Sequence, residues 1–301
     1  MLILNEEKYA KTVYNGGNQD VKSIMPKIRY VTRYLWHVEH KSDEEIYKET
    51  VEWLVKYHSA FDESCYSNLI SDAIAAAHKY PFYNISSIKI TQLELDIISS
   101  LDNLRAEKVL FVLLCMAKQQ SVSVGFTNGL VKYSITDLCK MARVSVPADE
   151  REYILHTIVQ HGLISCPKKN DTKCLIVNFI DNDGESALEL DEMDCQELAY
   201  VYLNWKNNDV GYGRCECCHR MMKKAKTNPK RLCEQCEQVI GDVPDDKRVI
   251  MCVDCNKPVF ISMFDSQTNR CEECYAVYRR KQKTATMRDL RAKNESCGQT
   301  L

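Results

Sequence analysis

Apolar residues recur at helical spacing through the first hundred positions. Ile46, Trp53, Leu54 and Tyr57 share one face of a helix, and Ser42 with Glu45 forms the capping box that opens it. A second helix is expected over about Tyr66–Tyr80. It stops at Pro81, which has no N–H to donate and clashes with the preceding turn. Thr91 and Glu94 repeat the capping box ahead of Leu95, Ile97 and Ile98. These patterns give a helical domain over 1–100, with no arrangement of residues that suggests catalysis. His37 and His40 flank Glu39 at helical spacing and are expected as surface histidines, with a shared metal the minor alternative.

The pattern then changes. Arg105–Gln119 is a strongly apolar helix, followed by a loop or short strand over Gly125–Tyr133. Ser134 and Asp137 cap a short helix, Ile135–Arg143. Pro147, Asp149 and Glu150 suit the first turn of the next helix, whose apolar face is Ile154, Leu155, Ile158 and Val159 and which closes at Gly162. Two strand-like stretches follow, Leu163–Cys166 and Cys174–Ile180, joined by the polar loop Pro167–Thr172. Helix, strand, helix, helix, hairpin is the order of a winged helix-turn-helix, so 101–182 is expected as a winged-helix-like domain. Its recognition helix would begin Ala148-Asp-Glu-Arg-Glu, poor chemistry for approaching phosphate, whereas Lys168, Lys169 and Lys173 make the wing more suitable. A packing or protein-docking version of the fold is therefore the expectation. Residues 183–210 read as an acidic connector, and Asp181–Gly184 as an Asx/Gly turn without the spacing of a calcium loop.

Composition narrows the class. Charged residues are 27% and hydrophobic ones 45%, ordinary for a globular chain. The net charge of −2 is uneven: residues 207–301 carry 18 Lys/Arg against 13 Asp/Glu. The longest apolar run, Val109–Ala117, is far short of the ~20 residues that span a bilayer and reads as a buried core helix. The start, MLILNEEKYAKT, lacks the basic and apolar regions of a secretory signal, so the 16 cysteines are not read as a disulfide scaffold and a cytoplasmic location is expected.

Eight of those cysteines form four CxxC pairs: Cys215/Cys218, Cys233/Cys236, Cys252/Cys255 and Cys271/Cys274, separated by 14, 15 and 15 residues. A CxxC turn brings two thiolates onto one ion while backbone N–H groups point at the sulfurs. Two such turns complete a tetrahedral site, so two zinc ions are expected. In the sequential wiring, pairs one and two share an ion, as do pairs three and four. In the crossed wiring, pairs one and three do so, as in RING-like domains. The sequential one is preferred, because each half carries a knuckle, a polar hairpin (Lys257–Ser262 in the second half) and a knuckle leading into a helix. Cys217 could replace Cys218, and Cys215–His219 also spells a haem-attachment signature, which an unexported chain would not use. Four thiolates fill the shell and leave no open position for a substrate, so the sites read as structural. Eight bound thiolates and two dications also lower the formal charge of this end to about +1. Any nucleic-acid binding must then come from local basic patches.

Two such patches exist. Arg220, Lys223, Lys224, Lys226, Lys230 and Arg231 lie between the first two knuckles. Arg279, Arg280, Lys281, Lys283, Arg288, Arg291 and Lys293 lie on the terminal helix, opposed only by Asp289. Phosphate-backbone binding is the expectation for both, and Tyr275 and Tyr278 are expected to fill the finger's small core rather than stack on bases.

The ending Arg270-Cys-Glu-Glu-Cys-Tyr-Ala-Val-Tyr-Arg-Arg-Lys, then Met287-Arg-Asp-Leu-Arg, resembles the tails of uncharacterised zinc-finger proteins from phages and mobile elements of Gram-positive bacteria. Ala76-Ala-His-Lys-Tyr-Pro-Phe and Val112–Lys118 are similar to the same group, as is the order helical region, winged helix, knuckles. The doubled knuckle unit departs from the single finger of such tails. The fold expected is mainly α. It has a helical N-terminal region, a winged-helix-like middle domain and, over 211–301, tandem four-cysteine fingers of treble-clef or ribbon type with a basic terminal helix. The function expected is non-enzymatic, zinc-dependent nucleic-acid binding, DNA before RNA, with regulation as one possible role. No Walker loop, HExxH motif or nucleophile elbow is present. The alternative is an adaptor or inhibitor docking on a host protein, with the fingers purely structural. No membrane partner is expected.

Overall fold

The computed structural model of the chain describes residues 2–16, 23–58, 61–124, 129–167, 174–208, 210–224, 231–241, 247–255, 258–262, 269–271, 273–280 and 282. The chain is mainly helical and forms two compact units, Met1–Tyr202 and Leu203–Leu301.

Caps set where the first helices begin. α1 (Glu6–Tyr14) starts after Asn5, whose side chain accepts from the Lys8 N–H, and α2 is Ile24–His37. α3 (Asp43–Tyr57) opens on the Ser42/Glu45 capping box. α4 (Glu63–Lys79) starts three residues before the expected Tyr66, because Asp62 accepts from the Ser64 N–H at 3.0 Å and captures the preceding turn. α2 packs against α1, α3 and α4 around Val13, Val31, Leu35, Ile46, Leu54 and Ile70, all buried. Each such side chain contributes about 1.5–3 kcal/mol. His37 Nε2 lies 2.9 Å from the Ala77 carbonyl and joins α2 to α4.

β1 (Ile88–Thr91) runs into α5 (Gln92–Ser99) through the Thr91/Glu94 box, and α6 spans Leu104–Val124. Every residue from Val109 to Ala117 is buried, so this apolar run is a core helix. α6 continues past the expected Gln119 and places Lys118 against Glu94 at 2.7 Å, with both side chains buried. The ammonium also donates to the carbonyls of Lys89 and Asp181, and the carboxylate accepts from the N–H groups of Thr91 and Asp181. An ion pair removed from water is tolerated because its remaining hydrogen-bonding capacity is met.

β2 (Leu130–Lys132), α7 (Ile135–Met141), α8 (Ala148–Gln160), β3 (Ile164–Ser165) and β4 (Cys174–Val177) follow in the expected order. The three strands form one antiparallel sheet, ordered β2–β4–β3. Pro147 is the N-cap of α8, not its first helical residue, and Gly162 closes the helix at φ +70°. Ile154, Leu155 and Ile158 are buried, but Val159 is 37% exposed, so the buried stripe is narrower than the apolar one. Residues 125–128, and Lys168, Lys169 and Lys173, lie outside the described residues.

The stretch read as an acidic connector carries regular structure, and as far as Tyr202 it belongs to the first unit. β5 (Ser186–Leu190) pairs antiparallel with β1, Ile88 opposite Leu190, and α9 spans Leu198–Lys206. Leu190, Cys195, Leu198 and Tyr202 are buried, and the Tyr202 hydroxyl donates to Glu107 on α6 at 2.9 Å. Of the acids that suggested a linker, Asp183, Glu185, Glu189 and Asp191 are exposed, whereas Asp194 and Glu197 are buried, Glu197 held by Arg143 at 2.8 and 2.9 Å. Asp181 accepts from the N–H groups of Asp183 and Gly184, an Asx turn as expected. A Cβ on Gly184 would come within 2.1 Å of the Asp181 carboxylate, so a side chain here would displace that carboxylate from the turn. Among the described residues, no helix is long and apolar enough to cross a membrane.

Candidate metal centres

The second unit is a pair of hairpin-and-helix repeats. β6 (Tyr212–Arg214) and β7 (Met221–Lys223) are antiparallel, with Cys215 and Cys218 in the turn between them. Cys233 then caps α10 (Glu234–Ile240), and Cys236 sits in its first turn. In the second repeat β8 (Lys247–Met251) pairs with β9 (Pro258–Ser262) around Cys252 and Cys255, and Cys271 precedes α11 (273–280), which carries Cys274. This corrects one expectation. Pro258–Ser262 is not a hairpin between knuckles; it is the returning strand of a hairpin whose tip is the knuckle, because its partner strand lies upstream of Cys252.

The wiring is sequential. The sulfurs of Cys215, Cys218, Cys233 and Cys236 all lie within 4.8 Å of one another, and so do those of Cys252, Cys255, Cys271 and Cys274. One ion with bonds of about 2.3 Å gives tetrahedron edges near 3.8 Å. Cys218 and Cys233 are 3.7 Å apart, and Cys255 and Cys271 are 3.8 Å apart. Each cluster therefore fits a single four-coordinate metal ion, a shell that suits zinc or iron. Cys217 stands outside the group of four. Its thiol is buried and donates to the Met251 sulfur at 3.3 Å.

The two repeats share their hydrogen bonds position by position. The N–H after the first cysteine meets the carbonyl two residues before the third: Glu216 to Arg231 at 3.0 Å, Val253 to Asn269 at 2.9 Å. The third cysteine's carbonyl accepts the first helical bond, from Glu237 at 2.9 Å and from Tyr275 at 2.8 Å. An arginine just before the third cysteine reaches back to an acid in the first knuckle: Arg231 grips Glu216 with two bonds of 2.8 and 2.6 Å, and Arg270 meets Asp254 at 2.6 Å.

Backbone N–H groups also polarise the sulfurs. Burial opposes ionisation of Cys215, but the N–H groups of Cys218, Cys233 and Cys217 prevail and hold its thiol below the usual range. The N–H of Cys271, against burial and helped by those of Cys255 and Asp254, pulls Cys252 down to about 6. Their neighbours move the other way. Burial, then hydrogen bonds with Cys233, Cys217 and Cys218, pushes Cys236 far up, and a hydrogen bond with Cys271, then burial, does the same to Cys274. Four sulfurs this close cannot all ionise unless a cation sits between them.

No protein-family model matches the chain, and no curated protein or solved structure matches it.

The basic residues separate into different roles. Lys223, Arg279 and Arg280 are exposed, and Lys224 is half-buried with its stem lying over Gly213. Arg231 is held by Glu216 and by the Lys247 carbonyl, at 2.8 Å, which joins the first finger to β8. Lys226, Lys230, Lys281, Lys283, Arg288, Arg291 and Lys293 lie outside the described residues. Tyr275 and Tyr278 are half-buried and carry arginines over their rings, Arg279 at 5.8 Å and Arg270 at 4.1 Å. The paired arginine clasps were missed in the sequence. The signal was there: an arginine one or two residues before the third cysteine in each half, and an acid inside each first knuckle.

Proposed function

We propose that the chain is a zinc-dependent, non-enzymatic nucleic-acid-binding protein that grips phosphates through the cations of its C-terminal unit. The observation that carries this is the pair of closed four-sulfur clusters with exposed cations beside them. Each cluster fills a tetrahedral shell with cysteine, so the metal has no free position for chemistry and serves to fold its surroundings. What the fold then presents is Lys223 on the first hairpin and Arg279 and Arg280 on α11. Zinc is the ion we assign, since it suits four thiolates and needs no redox partner. Thiolate sites of this kind require a reducing compartment, in keeping with a cytoplasmic protein.

The finer fold reading belongs to the same proposal. The order α6, β2, α7, α8, β3, β4 with its three-stranded sheet supports a winged helix. A knuckle at a hairpin tip followed by a helix-borne CxxC supports a treble-clef finger in each repeat. Origin from a phage or mobile element rests on the motifs quoted above. The test is fluorescence anisotropy of the zinc-loaded chain against duplex DNA, single-stranded DNA and RNA over a salt series. Micromolar or tighter binding should weaken steeply with salt, by a log–log slope of about −0.9 per phosphate neutralised on duplex DNA. Truncation after Tyr278 should remove most of it. No binding at low salt to any of the three would end this reading.

A second reading, docking on a host protein, draws on α8. Its first turns expose Asp149, Glu150 and Glu152, and Tyr153 is 65% exposed. In that case partner binding would survive neutralisation of the finger cations.

A further inference from the structure

A cleft of about 550 Å³ opens inside the second unit, between the first knuckle and β8. Its volume lies in the range of small-molecule sites. Val249, Ile250 and Met251 of β8 line one wall, with Val249 buried beneath it and the half-buried Ile250 and Met251 at its surface. Arg214, His219 and Asn269 line the rest, and the Arg231–Glu216 clasp closes one side.

We propose that this cleft receives an unpaired base of a single-stranded nucleic acid. This deepens the phosphate-binding reading and rests on it. Single strands are recognised by splayed bases that stack on flat or apolar side chains and are read along their edges by amides. The cleft supplies each part. Ile250 and Met251 give the base an apolar face. His219 is exposed at the mouth, its backbone at φ +58° and its carbonyl accepting from Arg214 at 3.2 Å. Asn269 is exposed and spends its carbonyl on the Val253 N–H, which leaves its carboxamide to donate to and accept from a base edge.

The charge around the mouth suits the rest of the nucleotide. The hairpin register sets Tyr212 opposite Lys223 and Arg214 opposite Met221, which puts Arg214 and Lys223 on one face, both exposed. Phosphates flanking the inserted base would run along that face. A paired base is already stacked and hydrogen-bonded and would have to leave its duplex to enter, so the cleft selects single strands.

The test uses the full zinc-loaded chain and short oligonucleotides, DNA and RNA, carrying one 2-aminopurine, whose fluorescence rises when it leaves the stack of neighbouring bases. Binding should brighten the probe. His219→Asn keeps a residue that tolerates the left-handed backbone but removes the ring, and Asn269→Ala removes the amide from an exposed position. Each should weaken single-strand binding about tenfold, in line with loss of one base contact, and reduce the brightening. Both should leave two metal ions bound and duplex affinity unchanged. Single-strand binding of normal strength and normal brightening in both variants would overturn the cleft while leaving phosphate binding in place. Preference for duplex over single strand would also overturn it. Absence of all nucleic-acid binding would remove both readings.

Discussion

The two units solve the same problem with different materials. Met1–Tyr202 buries every residue of α6 from Val109 to Ala117 inside a core rich in leucine and isoleucine. Beyond Tyr202, the buried apolar residues among those described are Cys215, Cys217, Met221, Met222, Leu232, Val249 and Cys252, three of them cysteines. Ordering a segment costs roughly 1–2 kcal/mol per residue in backbone freedom, and among the described residues these seven side chains are what the unit buries against it. The first unit is held by area removed from water; on the proposed reading the second is held by metal ions in its two cysteine clusters. Chelation is the sharpest way to break them apart. Structural zinc contributes about 10–16 kcal/mol in finger peptides. Stripping the metal should therefore unfold 210–275 and leave the first unit's melting transition in place. Calorimetry with limited proteolysis reads both at once. Unchanged protection of 210–275 after metal removal would show that the small core suffices and that the contrast is false.

The second prediction concerns the first unit alone. Glu94 and Lys118 form an ion pair with side chains 0% and 7% exposed. Deleting one partner leaves the other charge buried, which typically costs about 3–5 kcal/mol. Lys118→Met should lower the metal-independent transition by that amount, and adding Glu94→Leu should recover part of it. A loss under about 1 kcal/mol would mean that the four backbone partners hold the carboxylate and ammonium separately, and that the pairing itself matters little.

How much of this could be read from the residues depends on how local each determinant is. The capping boxes at Ser42 and Thr91 were legible because three residues decide them. The four CxxC pairs were legible because their spacing is itself the chemistry. The sequential wiring was readable only as a preference, since spacing says which cysteines pair within a knuckle but not which knuckles meet. What escaped depends on distant partners. Glu94 looks like half of a cap, and only the fold shows it facing Lys118. Ser186–Leu190 looks like part of an acidic linker, because the strand it pairs with lies about a hundred residues upstream, at Ile88–Thr91. The hairpin around Cys252 was misplaced for a related reason: the sequence marks the turn but not which flank supplies the second strand.

The smallest expected effect tests the comparison inside the second unit, between its two repeats. Both carry an arginine clasp, with similar exposure: 27% for Arg231 and 26% for Arg270. Half-exposed pairs of this kind are usually worth about 1 kcal/mol or less. The clasps differ in one respect. Arg231 also donates to the Lys247 carbonyl and so ties the first finger to β8, where Val249 completes the shared core with Cys215, Cys217, Met222 and Leu232. Arg270 instead spreads over the Tyr278 ring, within its own repeat. Arg231→Ala should therefore speed metal loss from both sites, because it loosens the strand that leads into Cys252. Arg270→Ala should speed loss from the second site only. Release to a chromophoric chelator, resolved into two phases, reads this directly. Equal effects of the two substitutions would show that the repeats hold their metals independently, and the shared core would then be contact without coupling.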